Sequence, residues 1–462
     1  GPNGQVKIIC FDHAAPLVNQ GRAPATVRQP QVSAYTSPEQ TGRLNRTVDY
    51  RTDFYSLGVT YYEMLVGHPP FELEDKMELI HAHLAKTPPA PHQLRPEIPP
   101  IVSKIVMKLL AKSAEDRYQS AMGLYLDLQR CLSQLKNSGT ITDFPLGRSD
   151  TADKFKIPHK LYGRDNELNF LLTTFEQLLH QRRGLLVVSG YAGVGKSRLV
   201  QELQMPLLLQ QGRMIAGKFD QYQYVPYSAI IQAFQELVHQ LLTESPNQLQ
   251  VWRHRLLEAL GSNAQLIIDI IPPVERITGP QPAVPNLSPA EGQNRFHLIF
   301  QRFVRVFATR QHPLVLFIDD LQWADPASLN LIETLLSAPQ TNDLLLVGAY
   351  RDNEVGPGHA LARPLAAIEQ AEVPLHRLVL PPLDREATAT FISDAFADGS
   401  DRITALTYVV MAKTGGNPFF IIQFLKSLHA RDRVVFDRTT GRWQWDLAKL
   451  RTEQITENVV DL

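Results

Sequence analysis

Gly190-Tyr191-Ala192-Gly193-Val194-Gly195-Lys196-Ser197 decides the reading of this chain. The spacing is G-x-x-x-x-G-K-S, in which a glycine-rich turn lets backbone N–H groups converge on phosphate oxygens. Its flanks supply the context such a turn requires. Leu185-Leu186-Val187-Val188 is an apolar run of strand length, and Leu199, Val200 and Leu203 fall on one face of a helix. A helix that opens directly after the turn adds the partial positive charge of its N-terminus. The phosphate cradle is therefore assigned to Gly190, Ala192, Gly193, Val194, Gly195, Lys196, Ser197 and Arg198. Lys196 is expected to reach the β- and γ-phosphates, and the Ser197 hydroxyl to ligate Mg²⁺.

Working outward, Leu314-Val315-Leu316-Phe317-Ile318-Asp319-Asp320 is an apolar strand that ends in acids. Its carboxylates then fall at the C-terminal edge of a sheet, where the phosphate turn also sits. Asp319 is expected to hold Mg²⁺ through water. Asp320 either polarises the water that attacks the γ-phosphate or shares structural work with its neighbour. Asp325-Pro326 reads as a helix N-cap followed by proline at the first helical position. A further buried strand, Leu344-Leu345-Leu346-Val347-Gly348-Ala349-Tyr350, ends in Arg351. That cation either senses the γ-phosphate through charge-assisted hydrogen bonds or pairs with Asp352 or Glu354. Residues 214–219 supply a second strand, and Leu378-Val379-Leu380 a fifth. Asp165 or Asn166 is the expected cap of the helix before the first strand. Strands alternating with helices at this spacing predict an open parallel sheet flanked on both faces. Residues 245–295 interrupt the pattern with helices and a proline-rich loop to which no chemistry is assigned.

At 462 residues the chain exceeds one ordinary core, so several domains are expected. A hydrophobic fraction of 44% and a charged fraction of 20% are those of a globular protein. The net charge of −1 gives no global attraction to nucleic acid or to an acidic membrane surface. With 2 cysteines, Cys10 and Cys131, there is no disulfide framework, which fits a reducing compartment and predicts a cytoplasmic location. No apolar run is long enough to span a bilayer. Gly1 rather than Met opens the sequence, and a longer parent chain is expected.

The first region, 1–137, begins with a strand signal at residues 6–11 and continues through helical patterns at 55–65, 76–84, 101–111 and 121–135. His81 and His83 are two apart on a helix and make a poor metal pair. Ser37-Pro38-Glu39, Asp53 through Gly58, and Arg117 carry a resemblance to the C-terminal half of a serine/threonine protein kinase lobe. The resemblance implies a buried structural ion pair between Glu39 and Arg117. It also locates the family's metal-binding D-F-G at Cys10-Phe11-Asp12, where cysteine replaces the aspartate. A thiol is a poor ligand for Mg²⁺, so no phosphotransfer is expected from this region. A docking or regulatory role is. Residues 138–158 have loop composition and are expected to link domains.

Helical pattern resumes at 384–397 and 403–413, after the nucleotide-binding region of 159–380. Gly415-Gly416-Asn417-Pro418 then ends one helix and starts another. Residues 433–445 read as a β-hairpin. From the phosphate turn, residues 314–320 with Trp323, Arg351, and Gly416-Asn417-Pro418, the region 159–462 resembles the STAND class of AAA-type signalling ATPases. It is especially similar to those in bacterial chains that join a serine/threonine kinase-like domain, this ATPase, a GAF sensor and a histidine kinase. The resemblance implies ATP and Mg²⁺ as cofactors, with Gly163, Arg164, Asn417 and Pro418 lining the adenine pocket. It implies a P-loop α/β domain, a helical lid over 381–430, and the start of a winged-helix domain over 431–462. It also implies partners: ATP and ADP, the downstream sensor and histidine-kinase domains of the same chain, and self-association. The expected function is a slowly hydrolysing ATP switch. The alternatives are an active serine/threonine kinase in the longer chain, or an ATP-dependent winged-helix transcription regulator. The acidic residues Asp446, Glu453 and Glu457 after the hairpin speak against nucleic acid as a partner.

Overall fold

The computed structural model describes residues 33–452 apart from 42–47, 74–75, 149, 151–154, 156, 159, 223–224, 286–287, 339–340, 357, 397, 438–439 and 441. The strand expected at residues 6–11 and the triplet Cys10-Phe11-Asp12 lie outside the described residues. The chain forms two compact units that divide between Asp153 and Lys154.

The first unit is helical, with α1 (Arg51–Val66), α2 (Lys76–Ala85), α3 (Pro91–Leu94), α4 (Pro100–Leu109) and α5 (Ala121–Ser138). Helix α1 stops at Gly67, whose left-handed φ of 99° lets its N–H return to the Glu63 carbonyl. It packs on α4 at Gly58, where an added Cβ would lie 2.8 Å from the Leu109 Cβ. The ion pair implied by the kinase resemblance is present. Both Arg117 terminal nitrogens meet Glu39, at 2.7 and 2.9 Å. The Thr52 hydroxyl adds a bond to the same carboxylate at 2.8 Å. Burial pushes the Glu39 pKa up, but the bond to Arg117, the Arg117 charge and the Thr52 and backbone bonds together outweigh it and hold it below the ordinary value.

The segment read from composition as a linker is partly packed. Phe144 is buried in the same cluster as Cys131 and Leu124, and the Arg130 guanidinium lies 4.4 Å from its ring centroid. Asp150 accepts the N–H groups of Gln119 and Ser120 at 2.7 and 2.8 Å, capping the entry to α5. Polar residues that look solvated in a composition count here satisfy backbone donors.

His83 is buried, with its ring nitrogens 3.0 Å from the Tyr55 hydroxyl and 3.1 Å from the Ser33 carbonyl. This is a core histidine, and among the described residues no group of three or more His, Cys, Asp or Glu side chains that could hold a metal occurs. Burial first, then the Lys112 ammonium, push its pKa down to about 4. Between that value and the ordinary 6.5, the unfolded chain binds more protons than the folded one. Stability of this unit is therefore expected to fall as pH drops through that window, by at most about 3 kcal/mol. Thermal unfolding from pH 7 to 4.5 checks it: wild type should lose more than His83→Gln, and identical losses would refute it.

The second unit opens with α6 (Asp165–Gln181), β1 (Arg183–Ser189), α7 (Lys196–Val200), α8 (Gln204–Leu209) and β2 (Arg213–Lys218). Helices α9 (Ser228–Leu241), α10 (Pro246–Leu260), α11 (Ala264–Ile270), α12 (Glu275–Thr278) and α13 (Pro289–Phe307) follow. Then come β3 (Leu314–Asp319), α14 (Pro326–Ser337), β4 (Leu344–Tyr350), α15 (Ala362–Gln370) and β5 (Leu375–Val379). The unit closes with α16 (Arg385–Phe396), α17 (Asp401–Thr414), α18 (Pro418–Ala430), β6 (Val434–Asp437), β7 (Arg442–Trp445) and α19 (Leu447–Thr452). The expected cap of α6 is corrected. Arg164 holds the N-cap position without a side-chain bond, and Asp165 is already inside the helix.

The five strands form one sheet in the order β2-β3-β4-β1-β5, with every pairing parallel. This is the expected parallel sheet with helices on both faces. Alternate residues of the apolar runs go to opposite faces, and both faces are buried. Leu185, Val187, Leu316 and Ile318 join one core with α9 and α13, while Leu186, Val188, Val315 and Phe317 join the other with α6 and α7. The stretch 245–295, to which the sequence assigned no chemistry, thickens the first core: Trp252, Leu256, Leu260 and Ile267 pack there with Phe300, Phe303 and Phe307.

Helix α9 crosses β2 with almost no clearance. A Cβ added at Gly217 would lie 1.8 Å from the Ala229 carbonyl oxygen. Neither backbone can yield without moving a helix or the β2–β3 ladder, so Gly217→Ala is expected to cost about 3 kcal/mol. Urea unfolding measures this, and a loss under 1 kcal/mol would mean the helix slides freely.

A third core belongs to α16–α18, the antiparallel β6–β7 hairpin and α19, and includes Phe391, Leu406, Phe424, Trp443 and Leu450. Phe155 and Ile157, at the start of this unit, pack against that core rather than against the sheet. Among the described residues, no helix is long and apolar enough to cross a membrane.

Candidate functional site

Strand β1 delivers the chain into the glycine turn at its C-terminal end. Gly190 has no space for a side chain, since a Cβ would lie 2.5 Å from the Leu380 carbonyl oxygen. Gly193 and Gly195 adopt φ values of 75° and 102°, open to glycine at no steric cost. Val194 is buried and Leu199 and Val200 anchor α7 in the core, so the turn is held from behind.

Lys196 is almost wholly buried, and its ammonium donates to the carbonyls of Gly190 and Tyr191 at 2.7 and 3.0 Å. Burial lowers its pKa; the Asp319 and Asp320 charges oppose that shift and the Arg351 charge adds to it. Ser197 Oγ donates to Asp319 Oδ2 at 2.5 Å. The ends of β1 and β3 thus meet in one crevice, although β4 lies between them in the sheet. The Arg198 side chain pairs with Glu202 one helical turn on, at 2.6 Å.

Two further segments close on the turn. Arg164 is buried and donates to the carbonyls of Pro381 and Val194 at 2.6 and 3.4 Å. Burial lowers its pKa, against the raising effect of Glu167. Gly163, at φ 57°, sits against Ala387 of α16, where a Cβ would lie 2.4 Å from the alanine methyl. From the other side, Asn417 caps α18 and its amide donates to the Ala192 carbonyl at 2.8 Å. The next residue, Pro418, is the first of α18, and the Phe419 N–H donates to the Gly193 carbonyl at 3.2 Å. Arg164 and Asn417 are therefore bonded to carbonyls of the phosphate turn, Pro418 follows Asn417 into α18, and Gly163 lies against α16.

Asp320 departs from strand geometry. Its backbone is left-handed, with φ 53° and ψ 46°, which turns the chain into the short helical turn Leu321–Trp323. The side chain is buried and doubly engaged. Oδ1 accepts from the Gln322 amide at 3.0 Å and lies 3.5 Å from Arg351 Nε. Oδ2 lies 3.1 Å from the ammonium of Lys218, which is largely exposed at the end of β2. Arg351 also pairs with Glu354 at 2.9 Å and stacks 4.6 Å above the Trp323 ring. The Glu354 pairing expected for Arg351 is therefore present. Asp325 caps α14 as expected, accepting the Ser328 N–H at 2.9 Å.

Gln322 and Lys218 were not among the expected site residues. Lys218 was legible only as the polar end of a strand. Gln322 gave no signal, because its role depends on the reversal of the chain at Asp320.

Residues 160–347 match the family described as "AAA ATPase domain", and residues 2–125 match "Protein kinase domain". The chain is similar to the hybrid signal transduction histidine kinase G of Dictyostelium discoideum, at 36% identity over 92% of this chain and 15% of that protein. It is also similar to the peroxide stress-activated histidine kinase mak3 of Schizosaccharomyces pombe, at 22% identity over 90% of this chain and 21% of that protein. The chain therefore spans only 15% and 21% of the length of these curated relatives. Among solved structures, Cdc6p from Pyrobaculum aerophilum aligns at 14% identity with a TM-score of 0.37, over 62% of this chain and 65% of that one. The chain joins a protein-kinase-like region to an AAA ATPase domain, and its relatives include histidine kinases.

Proposed function

We propose that the chain is an ATP-binding, slowly hydrolysing switch of the STAND class, serving a cytoplasmic multidomain sensor kinase of the kind bacteria carry. One observation supports this reading above the others. The Ser197 hydroxyl, the Asp319 carboxylate and the Lys196 ammonium converge beside one glycine turn. Hydroxyl and carboxylate are the hard oxygen donors that Mg²⁺ prefers. A buried ammonium whose hydrogen bonds go to two carbonyls gains from an anion. The residues present therefore fit the group.

In this reading the N–H groups of Gly190, Ala192, Gly193, Val194, Gly195, Lys196, Ser197 and Arg198 cradle the phosphates. Ser197 and Asp319 hold Mg²⁺, and Gly163, Arg164, Asn417 and Pro418 border the adenine. Bound Mg–ATP supplies the phosphoanhydride and the charge on which the switch turns. Asp320 is the carboxylate that, as general base, takes a proton from water, and Oδ2 is the oxygen freed at least cost, since its partner Lys218 is exposed. Arg351 and Lys196 are the cations that face developing negative charge. Because Asn417 and Phe419 bond directly to the turn, its occupancy and the position of α18 are coupled. Such a switch works only if ATP and ADP prefer different arrangements of that junction. The kinase-like region serves as a docking surface without phosphotransfer, and the downstream sensor and histidine-kinase domains receive the output.

Titration calorimetry with ATP, ADP and GTP tests the reading. Mg²⁺-dependent ATP binding tighter than GTP binding is expected, and no heat with any of the three would end it.

A further inference from the structure

We propose that Gln322 is a positioning residue that locks Asp320 to the end of β4. The inference rests on the reading of Asp320 as the acid of an ATP site. Gln322 is buried, and both ends of its amide are used. Its nitrogen donates to Asp320 Oδ1 at 3.0 Å, and its oxygen accepts the Arg351 main-chain N–H at 3.2 Å. The left-handed turn at Asp320 is what folds the side chain back far enough to make this bridge.

The bridge has a mechanical consequence. Strands β3 and β4 are paired up to Ile318 and Gly348, and beyond that point the ladder between them stops. Gln322 continues the connection through a side chain where the backbone no longer supplies one. The Arg351 guanidinium, carried by the same residue whose N–H is bonded, lies over Trp323 and beside Asp320. One amide therefore ties the Asp320 carboxylate to the residue that carries the cation, while Glu354 holds both the guanidinium, at 2.9 Å, and the Trp323 indole N–H, at 3.1 Å. An acid free to rotate would lose the alignment that makes a near-attack arrangement productive, and misplacement by about 1 Å costs on the order of 100-fold in rate.

The test separates the two halves of the bridge. Gln322→Glu keeps an acceptor for the Arg351 N–H but cannot donate to Asp320, whereas Gln322→Met keeps the volume and loses both bonds. Phosphate release by either variant is expected to fall roughly 10- to 100-fold in kcat, with KM and the calorimetric Kd for ATP within about threefold of wild type. Trp323 fluorescence, isolated by subtracting Trp323→Phe, is read without nucleotide. It should shift in Gln322→Met and stay at the wild-type position in Gln322→Glu. Unchanged kcat in both variants, or unchanged Trp323 emission in Gln322→Met, would overturn the proposal even where ATP binds normally. Failure of wild type to bind ATP would instead fall on the functional reading.

Discussion

Lys196→Ala is expected to abolish measurable ATP binding while leaving the fold intact. The amine is buried, and its bonds go to two carbonyls of the turn that precedes it. A phosphate offers full negative charge in place of those partial charges. Charge-assisted bonds of this kind are roughly twice as strong as neutral ones. Losing them is expected to cost about 3 kcal/mol, which is about a hundredfold in Kd. The folded state loses little, because burial already works against the ammonium, as the lowered pKa records. Calorimetry of the variant should show no ATP heat at concentrations that saturate wild type, with an unchanged thermal midpoint in the absence of nucleotide. A wild-type Kd in the variant would remove Lys196 from the site and the glycine turn with it.

Much of this candidate site is legible in the sequence because its parts are local. A phosphate turn needs glycine at fixed spacing between a strand and a helix, and 185–203 carries all of these signals in one run. The acid-ended strand was equally plain, and parallel order follows once strands alternate with helices. What the sequence hid are contacts made through space. The left-handed Asp320 has no glycine to announce it. Its partners arrive from β2, β4 and the following turn. Arg351 illustrates the limit: one strand-end cation serves equally well as phosphate sensor or ion-pair partner until Glu354 and Trp323 are placed around it. The helices of 245–278 were silent about chemistry because their apolar residues fill a core. The partial packing of 138–150 was hidden for the opposite reason. Asp150 is polar, yet its carboxylate is spent on the N–H groups of Gln119 and Ser120.

The largest stability effect is expected at the ion pair of the kinase-like unit. Arg117 is fully buried, and its side chain also donates to the carbonyls of Ala111 and Arg51, at 2.8 and 3.0 Å. The guanidinium lies 5.0 Å from the Tyr55 ring centroid. Glu39 in turn accepts from Thr52, so both charges are enclosed by hydrogen bonds and neither reaches water easily. Truncating one partner strands the other. Arg117→Ala is therefore expected to destabilise this unit by about 3–5 kcal/mol. Glu39→Ala should cost about as much, whereas the double variant should cost markedly less than the sum, since no charge is then left unpaired. The pH dependence has a definite sign. The folded pKa of Glu39 lies below its ordinary 4.5, so the contribution is complete above that value. It is lost as pH falls through the folded pKa. Chemical unfolding of the three variants at neutral pH measures the cycle. Additive losses, or an Arg117→Ala cost under 1 kcal/mol, would show that the pair is solvated in the working protein and that the helices around it are held by their apolar faces alone.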